Sequence, residues 1–325
     1  MRAVRIHELS GPSALRVDSD VPAPDVRAGQ VLIDVRAAGV NFPDILLSRG
    51  QYQFKPTPPF SPGGEVSGIV RAIGDGVKSV AVGDRVLATM LYGAWAEQVV
   101  VVEPAVAKLP DAVSFEVGAA TPLTYLTTYH ALVDRAALRA GETLLVLGAA
   151  GGVGTAAVEL GAALGARVIA AASSEDKLAF CREHGATDTI DYSREDLKER
   201  IKALTKGNGV DVVYDPVGGA LAEPALRGMA WQGRYLVVGF ASGEIPKIPL
   251  NLVLLKGCQI VGVFWGAFAM RDPATNRKHA EHVLAWVAEG KLRPAVDAVL
   301  PFAQAADALA RIERRQVKGK IVLVP

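Results

Sequence analysis

The sequence predicts an α/β chain of two domains, a β-barrel-like domain followed by a doubly wound parallel sheet. Three observations carry this reading. A length of 325 residues, 50% of them hydrophobic, is enough for two cores. Residues 1 to about 120 are rich in Val, Gly and Pro and run in short alternating segments: Val31–Val40, Glu65–Ile73, Arg85–Thr89 and Ala94–Val102. Gly74-Asp75-Gly76 and Gly83-Asp84 punctuate them as turns, and Met1–Ile6 alternates like a first strand. From Ser114 the texture changes to helix and strand patterns in alternation, the signature of crossover units on a parallel sheet.

That alternation reads as helix Tyr125–Arg135, strand Thr143–Leu147, helix Gly152–Leu164, strand Arg167–Ala172, helix Asp176–His184 and strand Thr187–Ile190. It continues as helix Arg194–Thr205, strand Val210–Tyr214, a helix near Leu221–Gly228, and strands Arg234–Gly239 and Gln259–Val263. Helices His279–Gly290 and Gln304–Arg314 follow. Val296–Leu300 and Lys320–Val324 read as strands that return to the first domain. The expected division is 1–122, completed by about 292–325, and 123–291.

Between the strand Thr143–Leu147 and the helix after it lies Gly148-Ala149-Ala150-Gly151-Gly152-Val153-Gly154. A glycine turn there lets backbone approach a pyrophosphate, and the helix start aims its free N–H groups at it. The competing reading is a tight turn with no ligand. Folds of this kind that prefer NAD carry an acid at the end of the second strand to bond the ribose 2′-hydroxyl. Here that strand ends Ala171-Ala172-Ser173-Ser174, with Lys177 one turn later. Hydroxyls, a helix start and a cation favour a 2′-phosphate, so the expected cofactor is NADPH. The plainer alternative makes Ser174 a helix cap and Lys177 a solvated cation.

Composition excludes several classes of partner. Lys+Arg is 35 and Asp+Glu is 34, a net charge of +1 that gives no reason to expect nucleic acid or an anionic membrane. No apolar stretch is long enough to span a bilayer, and no N-terminal signal is visible. Two cysteines, Cys181 and Cys258, are too few for a disulfide framework and fit reduced core residues in a cytoplasmic protein.

Ala37-Ala38-Gly39-Val40-Asn41-Phe42-Pro43-Asp44, Pro62-Gly63-Gly64-Glu65, the glycine turn, Asp211–Gly219 and Gly319-Lys320-Ile321-Val322-Leu323 together resemble the medium-chain dehydrogenase/reductase superfamily. Within it the chain is similar to the zinc-independent quinone oxidoreductase branch, along its full length. The resemblance implies a GroES-like first domain, a Rossmann second domain and a homodimer. Zinc-dependent members place Cys where this chain has Asn41 and His where it has Gly64, so no catalytic metal is expected. His279 and His282 sit at i, i+3 on a helix and read better as a solvated face than as metal ligands. Without a Lewis acid the acceptor must already be electrophilic: a small, apolar conjugated carbonyl such as a quinone, with enals, enones and enoyl thioesters as the alternative. A non-catalytic NADPH-binding protein is the reading from another class.

For catalysis the resemblance points to Asn41, Tyr52 and Thr127. Asn41 offers an amide donor, Tyr52 a phenol for a developing oxyanion, and Thr127 a position near the nicotinamide ribose or the substrate. Packing for Tyr52 and loop satisfaction for Asn41 compete with these roles. A second tyrosine often found six residues before Tyr52 is Leu46 here. For the cofactor it implies Ala150, Gly151, Gly152, Val153 and Gly154 at the pyrophosphate, and Ser173, Lys177, Tyr192 and more weakly Arg315 at the 2′-phosphate. Gly239, Phe240, Phe264 and Trp265 end the last two strands, where the switch-point rule puts the ligand crevice. Arg315 also reads as a helix C-terminal cation, and Phe264 and Trp265 as dimer contacts.

Overall fold

Alternating apolar residues make Gln30–Val40 the long central strand of a seven-stranded sheet, with Val31, Ile33 and Val35 on its buried face. Each such side chain taken out of water contributes about 1.5–3 kcal/mol. The structure, a computed structural model, describes residues 1–325 and divides into two units. The first comprises Met1–Leu123, Asp272–Gly290 and Pro294–Pro325; the second comprises Thr124–Arg271 and Lys291–Arg293.

In the first unit the strands run, in space, Val296–Pro301, Lys320–Val324, Gln30–Val40, Glu65–Ile73, Arg85–Thr89 and Val106–Lys108, with Gln98–Val102 also paired to Gln30–Val40. The two C-terminal strands do return to this sheet, as the alternation predicts. Lys320–Val324 pairs antiparallel with Gln30–Val40, Ile321 opposite Val40, and Ala38 of the same strand lies opposite Val66. These two registers set Lys320, Asn41 and Glu65 side by side.

The second unit is a six-stranded parallel sheet ordered Asp188–Asp191, Arg167–Ala172, Thr143–Leu147, Val210–Asp215, Met229–Val237 and Gln259–Gly262. Leu144 to Leu147 are all buried, because a parallel strand is covered on both faces. The helix Gly152–Ala163 is built from small residues, and its buried Ala156, Ala157 and Gly161 let it lie close to the sheet. The glycine turn therefore sits in a strand–turn–helix–strand unit, as expected. The chain order places the sheet's reversal beside Thr143–Leu147, where dinucleotide folds open their crevice.

Three differences from the sequence reading have physical reasons. The helix Pro273–Ala288, expected in the second domain, belongs to the first unit, where Leu284 packs with Leu87, Leu109 and Val113. His279 is buried on that helix rather than solvated, and the His282 ring meets Trp286 edge-on at 4.4 Å. Short helices at Phe42–Ser48, Leu250–Lys256 and Trp265–Arg271 fall in stretches too short for periodicity to show. No helix is long and apolar enough to cross a membrane. Both cysteines are buried and free, and burial pushes the Cys181 thiol up to about 12.

Candidate functional site

In the first unit one of the expected catalytic residues, Asn41, lies against a buried carboxylate, Glu65. Asn41 caps the helix Phe42–Ser48 at the end of the central strand, and Pro43 in the first turn suits a position with no hydrogen-bonding duty. Its side chain is not free. Asn41 Nδ2 donates to Glu65 Oε1 at 2.7 Å, and Lys320 Nζ donates to Asn41 Oδ1. Lys320 also donates to Glu65 Oε1 at 2.7 Å and to the Val40 carbonyl at 2.9 Å. The Leu123 N–H donates to the other Glu65 oxygen at 2.6 Å. The ion pair is closed off, its side chains 5% and 0% exposed.

Asp44, one helical turn on, accepts the Asn41 N–H at 2.8 Å and the Gly63 N–H at 3.1 Å. Burial raises its carboxyl from 3.8 to about 7, against the opposing pull of the Asn41 N–H, Lys320 and the Gly63 N–H. Tyr52 is half-buried, 6.2 Å ring to ring from Phe54. Burial and the nearby Asp44 charge raise its phenol above the ordinary value, so it stays a hydrogen donor at neutral pH. Leu46 is half-buried on the same short helix, and Tyr92 is exposed and edge-on to Phe60 at 5.8 Å. Glu65 and Lys320 belong to motifs recognised in the sequence, yet neither was assigned a role. A pair 255 residues apart has no local signal.

In the second unit the glycine turn is open. Gly151 starts the helix Gly152–Ala163 with no side chain capping it, so the first-turn N–H groups face outward without a side-chain acceptor. A Cβ on Gly151 would meet nothing closer than the Gly148 carbonyl at 3.5 Å. A Cβ on Gly154 would fall 2.2 Å from that oxygen and 2.8 Å from Ala149 Cα. Gly154 thus permits the close turn, while Gly151 leaves the concave side bare. Ala150 is buried behind the turn, and Gly152 and Val153 are half-buried on it.

Ser173 follows the end of Arg167–Ala172, a strand that carries no acid of its own, and Asp191 of the neighbouring strand lies opposite Ala172. The Tyr192 N–H donates to the Ala172 carbonyl at 3.1 Å, which brings Tyr192 next to Ser173 although 19 residues separate them in the chain. Ser174 caps the helix Glu175–Glu183 by accepting from the Lys177 N–H, so the cap reading for Ser174 holds. Lys177 is half-buried one turn in. Two of the nearby acids have partners of their own: Glu175 pairs with Arg182 at 2.6 Å, and Asp191 accepts from the Ser193 hydroxyl at 2.6 Å. An uncapped helix start, a bare glycine face and a cation beside two hydroxyls fit a dinucleotide with a 2′-phosphate.

Thr127 is half-buried where an α turn, Thr127–Tyr129, gives way to the π-wound run His130–Arg135. Its neighbour Thr128 is fixed beneath it, donating to the Thr124 carbonyl at 2.8 Å and meeting the Tyr214 hydroxyl at 2.8 Å. Gly239 and Phe240 follow Met229–Val237; Phe264 and Trp265 follow Gln259–Gly262, the first exposed and the second buried. Arg315 is an exposed residue of the first unit, with φ 56, just past the helix Ala305–Glu313. No group of three or more His, Cys, Asp or Glu side chains is arranged to hold a metal ion.

Comparison with known proteins agrees with this layout. A profile of the alcohol dehydrogenase GroES-like domain matches residues 27–111, and one named for zinc-binding dehydrogenases matches residues 152–288. The chain is 41% identical over 325 residues to a quinone oxidoreductase-like protein 2 homolog of Nematostella vectensis, covering 99% of this chain and 88% of that one. It is 31% identical over 326 residues to the quinone oxidoreductase of Homo sapiens, covering 100% and 98%. The crystal structure of Escherichia coli quinone oxidoreductase complexed with NADPH superposes with a TM-score of 0.93 at 30% identity, covering all of both chains.

Proposed function

Because the chain belongs to the zinc-independent quinone oxidoreductase-like branch of the medium-chain dehydrogenase/reductase superfamily, we propose that it is an NADPH-dependent reductase of small conjugated carbonyls, quinones first. The observation that carries this reading is the second-strand end of the second unit. Ser173, Lys177 and Tyr192 lie there, at a strand end that carries no acid of its own, in a unit whose glycine turn has an uncapped helix start. Ala150 to Gly154 would receive the pyrophosphate and the backbone at Gly239, Phe240, Phe264 and Trp265 the nicotinamide end. Arg315 stays a weaker 2′-phosphate contact. When bound, NADPH supplies a hydride. Tyr52, kept protonated, is the donor proposed for the acceptor oxygen, and Thr127 is proposed to line the nicotinamide side.

The protein is further proposed to be a homodimer paired through Gln259–Gly262. That strand ends the sheet, and Ile260 on it is exposed near Leu254, Leu255 and Trp231 of neighbouring segments, which are exposed as well. A monomer by light scattering at micromolar concentration would remove this proposal.

Cofactor choice tests the main reading. Lys177→Ala should weaken NADPH binding roughly tenfold or more, the worth of one charge-assisted contact, and leave NADH almost unchanged. Equal losses for both cofactors would show that Lys177 is no phosphate ligand. Turnover of a simple quinone, a medium-chain enal and an enoyl thioester, measured side by side with NADPH, identifies the acceptor.

A further inference from the structure

The carboxamide of Asn41 lies between a group that only donates and a group that only accepts. Lys320 faces its Oδ1, and Glu65 faces its Nδ2 at 2.7 Å. An ammonium has three hydrogens and no lone pair; a carboxylate has lone pairs and no hydrogen. Turning the amide over would set its N–H₂ against the ammonium and its oxygen against the carboxylate, in a place where Asn41 is only 6% exposed. Amide orientation is ordinarily a matter of inference from neighbours. Here the two neighbours leave one answer. Lys320 is itself held by the Val40 carbonyl, and Glu65 by the Leu123 N–H, so neither can swing away to accommodate the other orientation.

With Oδ1 and one Nδ2 hydrogen engaged, a single hydrogen remains for a ligand. We propose that Lys320 and Glu65 are positioning residues that lock the Asn41 carboxamide in one orientation, with its oxygen held toward the ammonium and its one unspent N–H left to donate. The site is thereby committed to an oxygen with lone pairs. Resting on the reductase reading above, that oxygen is the acceptor's carbonyl. A buried ion pair is a poor device for stability alone, since well-packed apolar replacements are often as stable or more so. Apolar residues would hold the fold but would leave the amide free to present its oxygen.

The test uses the full-length protein and two readouts. Lys320→Met alone strands the Glu65 charge and risks misfolding, so it is paired with Glu65→Met in a charge-balanced, apolar double variant. In nuclear magnetic resonance, the side-chain amide of Asn41 is identified by its absence in Asn41→Ala. In the wild-type protein one of its two hydrogens should exchange slowly with solvent; in the double variant neither should. The second readout is turnover. The double variant should lose roughly tenfold in kcat, less than removing a donor outright costs, with KM for NADPH unchanged. Lys320→Arg, which keeps the charge, should recover part of that loss.

In an Asn41→Ala background the double change should cost no further kcat, because its effect passes through the amide. Two slowly exchanging hydrogens in the double variant, or kcat losses that add in the Asn41→Ala background, would overturn the proposal. If the wild-type protein reduces no conjugated carbonyl, the reductase reading fails while the exchange measurement still decides the lock.

Discussion

At Glu65 in the first unit, an ammonium, a carboxamide and a backbone N–H converge on one buried carboxylate. At Gly151 in the second unit, a helix begins with no side chain to cap it and with open space over the turn. One region has spent its polar groups on each other; the other keeps them in reserve. The difference separates two ways of being a site. Spent groups fix geometry and contribute to the fold, whereas unspent backbone donors are what an incoming anion binds.

The contrast predicts that the first region fails by unfolding. Glu65→Ala would leave the Lys320 ammonium buried without its partner, which typically costs about 3–5 kcal/mol. Denaturant unfolding should show a loss of this size. A loss under 1 kcal/mol would mean that water reaches Lys320 and that the region is not closed.

Asp44 sharpens the same point through pH. Its carboxyl is raised by burial from 3.8 to about 7. Below pH 4 the group is protonated in both states and contributes nothing. As pH rises from 4 to 7 the unfolded chain ionises and the folded one does not, so stability falls. Above 7 the penalty is constant, at about 4 kcal/mol. Asp44→Asn removes this titration. The stability of the wild-type protein relative to the variant should therefore decline from pH 4 to 7 and then level off. A difference that stays flat across that range would show that Asp44 titrates as an ordinary surface acid.

The glycine turn tests the other side of the comparison, with two alanines three residues apart. Gly154→Ala drives a Cβ into backbone at 2.2 Å and 2.8 Å, which no side-chain rotation relieves. It should destabilise by roughly 1–3 kcal/mol, the usual cost of overpacking. Gly151→Ala meets only ordinary contact at 3.5 Å, so its melting temperature should barely move. Its added methyl covers the open face, and NADPH affinity should drop by roughly one hydrogen bond to a charged group, tenfold to a hundredfold. Titration calorimetry and thermal melts on both variants decide it. If Gly151→Ala binds NADPH normally, the pyrophosphate lies elsewhere.

The same contrast explains what the sequence could tell. Glu65–Ile73, Arg85–Thr89, Thr143–Leu147, Arg167–Ala172 and Lys320–Val324 end where alternation or apolar runs end, because strand limits follow burial. The glycine turn was legible because its signature is local: strand, turn and helix lie within about 20 residues. Ala94–Val102 was legible only from Gln98 on, since Trp95 bonds through its backbone to Val4 and Pro62 rather than continuing the ladder. Leu250–Lys256 hid because Leu250, Leu254 and Leu255 are exposed, which gives a helix no amphipathic face to read. Tyr192 joined Ser173 through a family pattern, and the Ala172 hydrogen bond supplies the physical reason. Lys320 and Glu65 meet through two strand registers, and registers are not written in any one segment.

The smallest effect is expected at Tyr52, which takes no part in the hydrogen bonds around Glu65. It is half-buried, near enough to Asp44 for that charge to raise its phenol, and tied to the network by electrostatics alone. Tyr52→Phe should therefore leave both stability and NADPH affinity close to wild type. Losing an oxyanion donor typically costs 10²–10³-fold in turnover, but a quinone delocalises the charge it receives, so roughly tenfold or less is expected with quinone. An enone should suffer more, because its enolate is more basic and depends more on the donor. The raised phenol adds a second observable. Since it stays protonated well past neutrality, wild-type turnover should not fall between pH 7 and 9 through loss of this proton. Equal turnover of both acceptors by Tyr52→Phe and wild type would reduce Tyr52 to a packing residue, and would leave Asn41 as the remaining candidate donor.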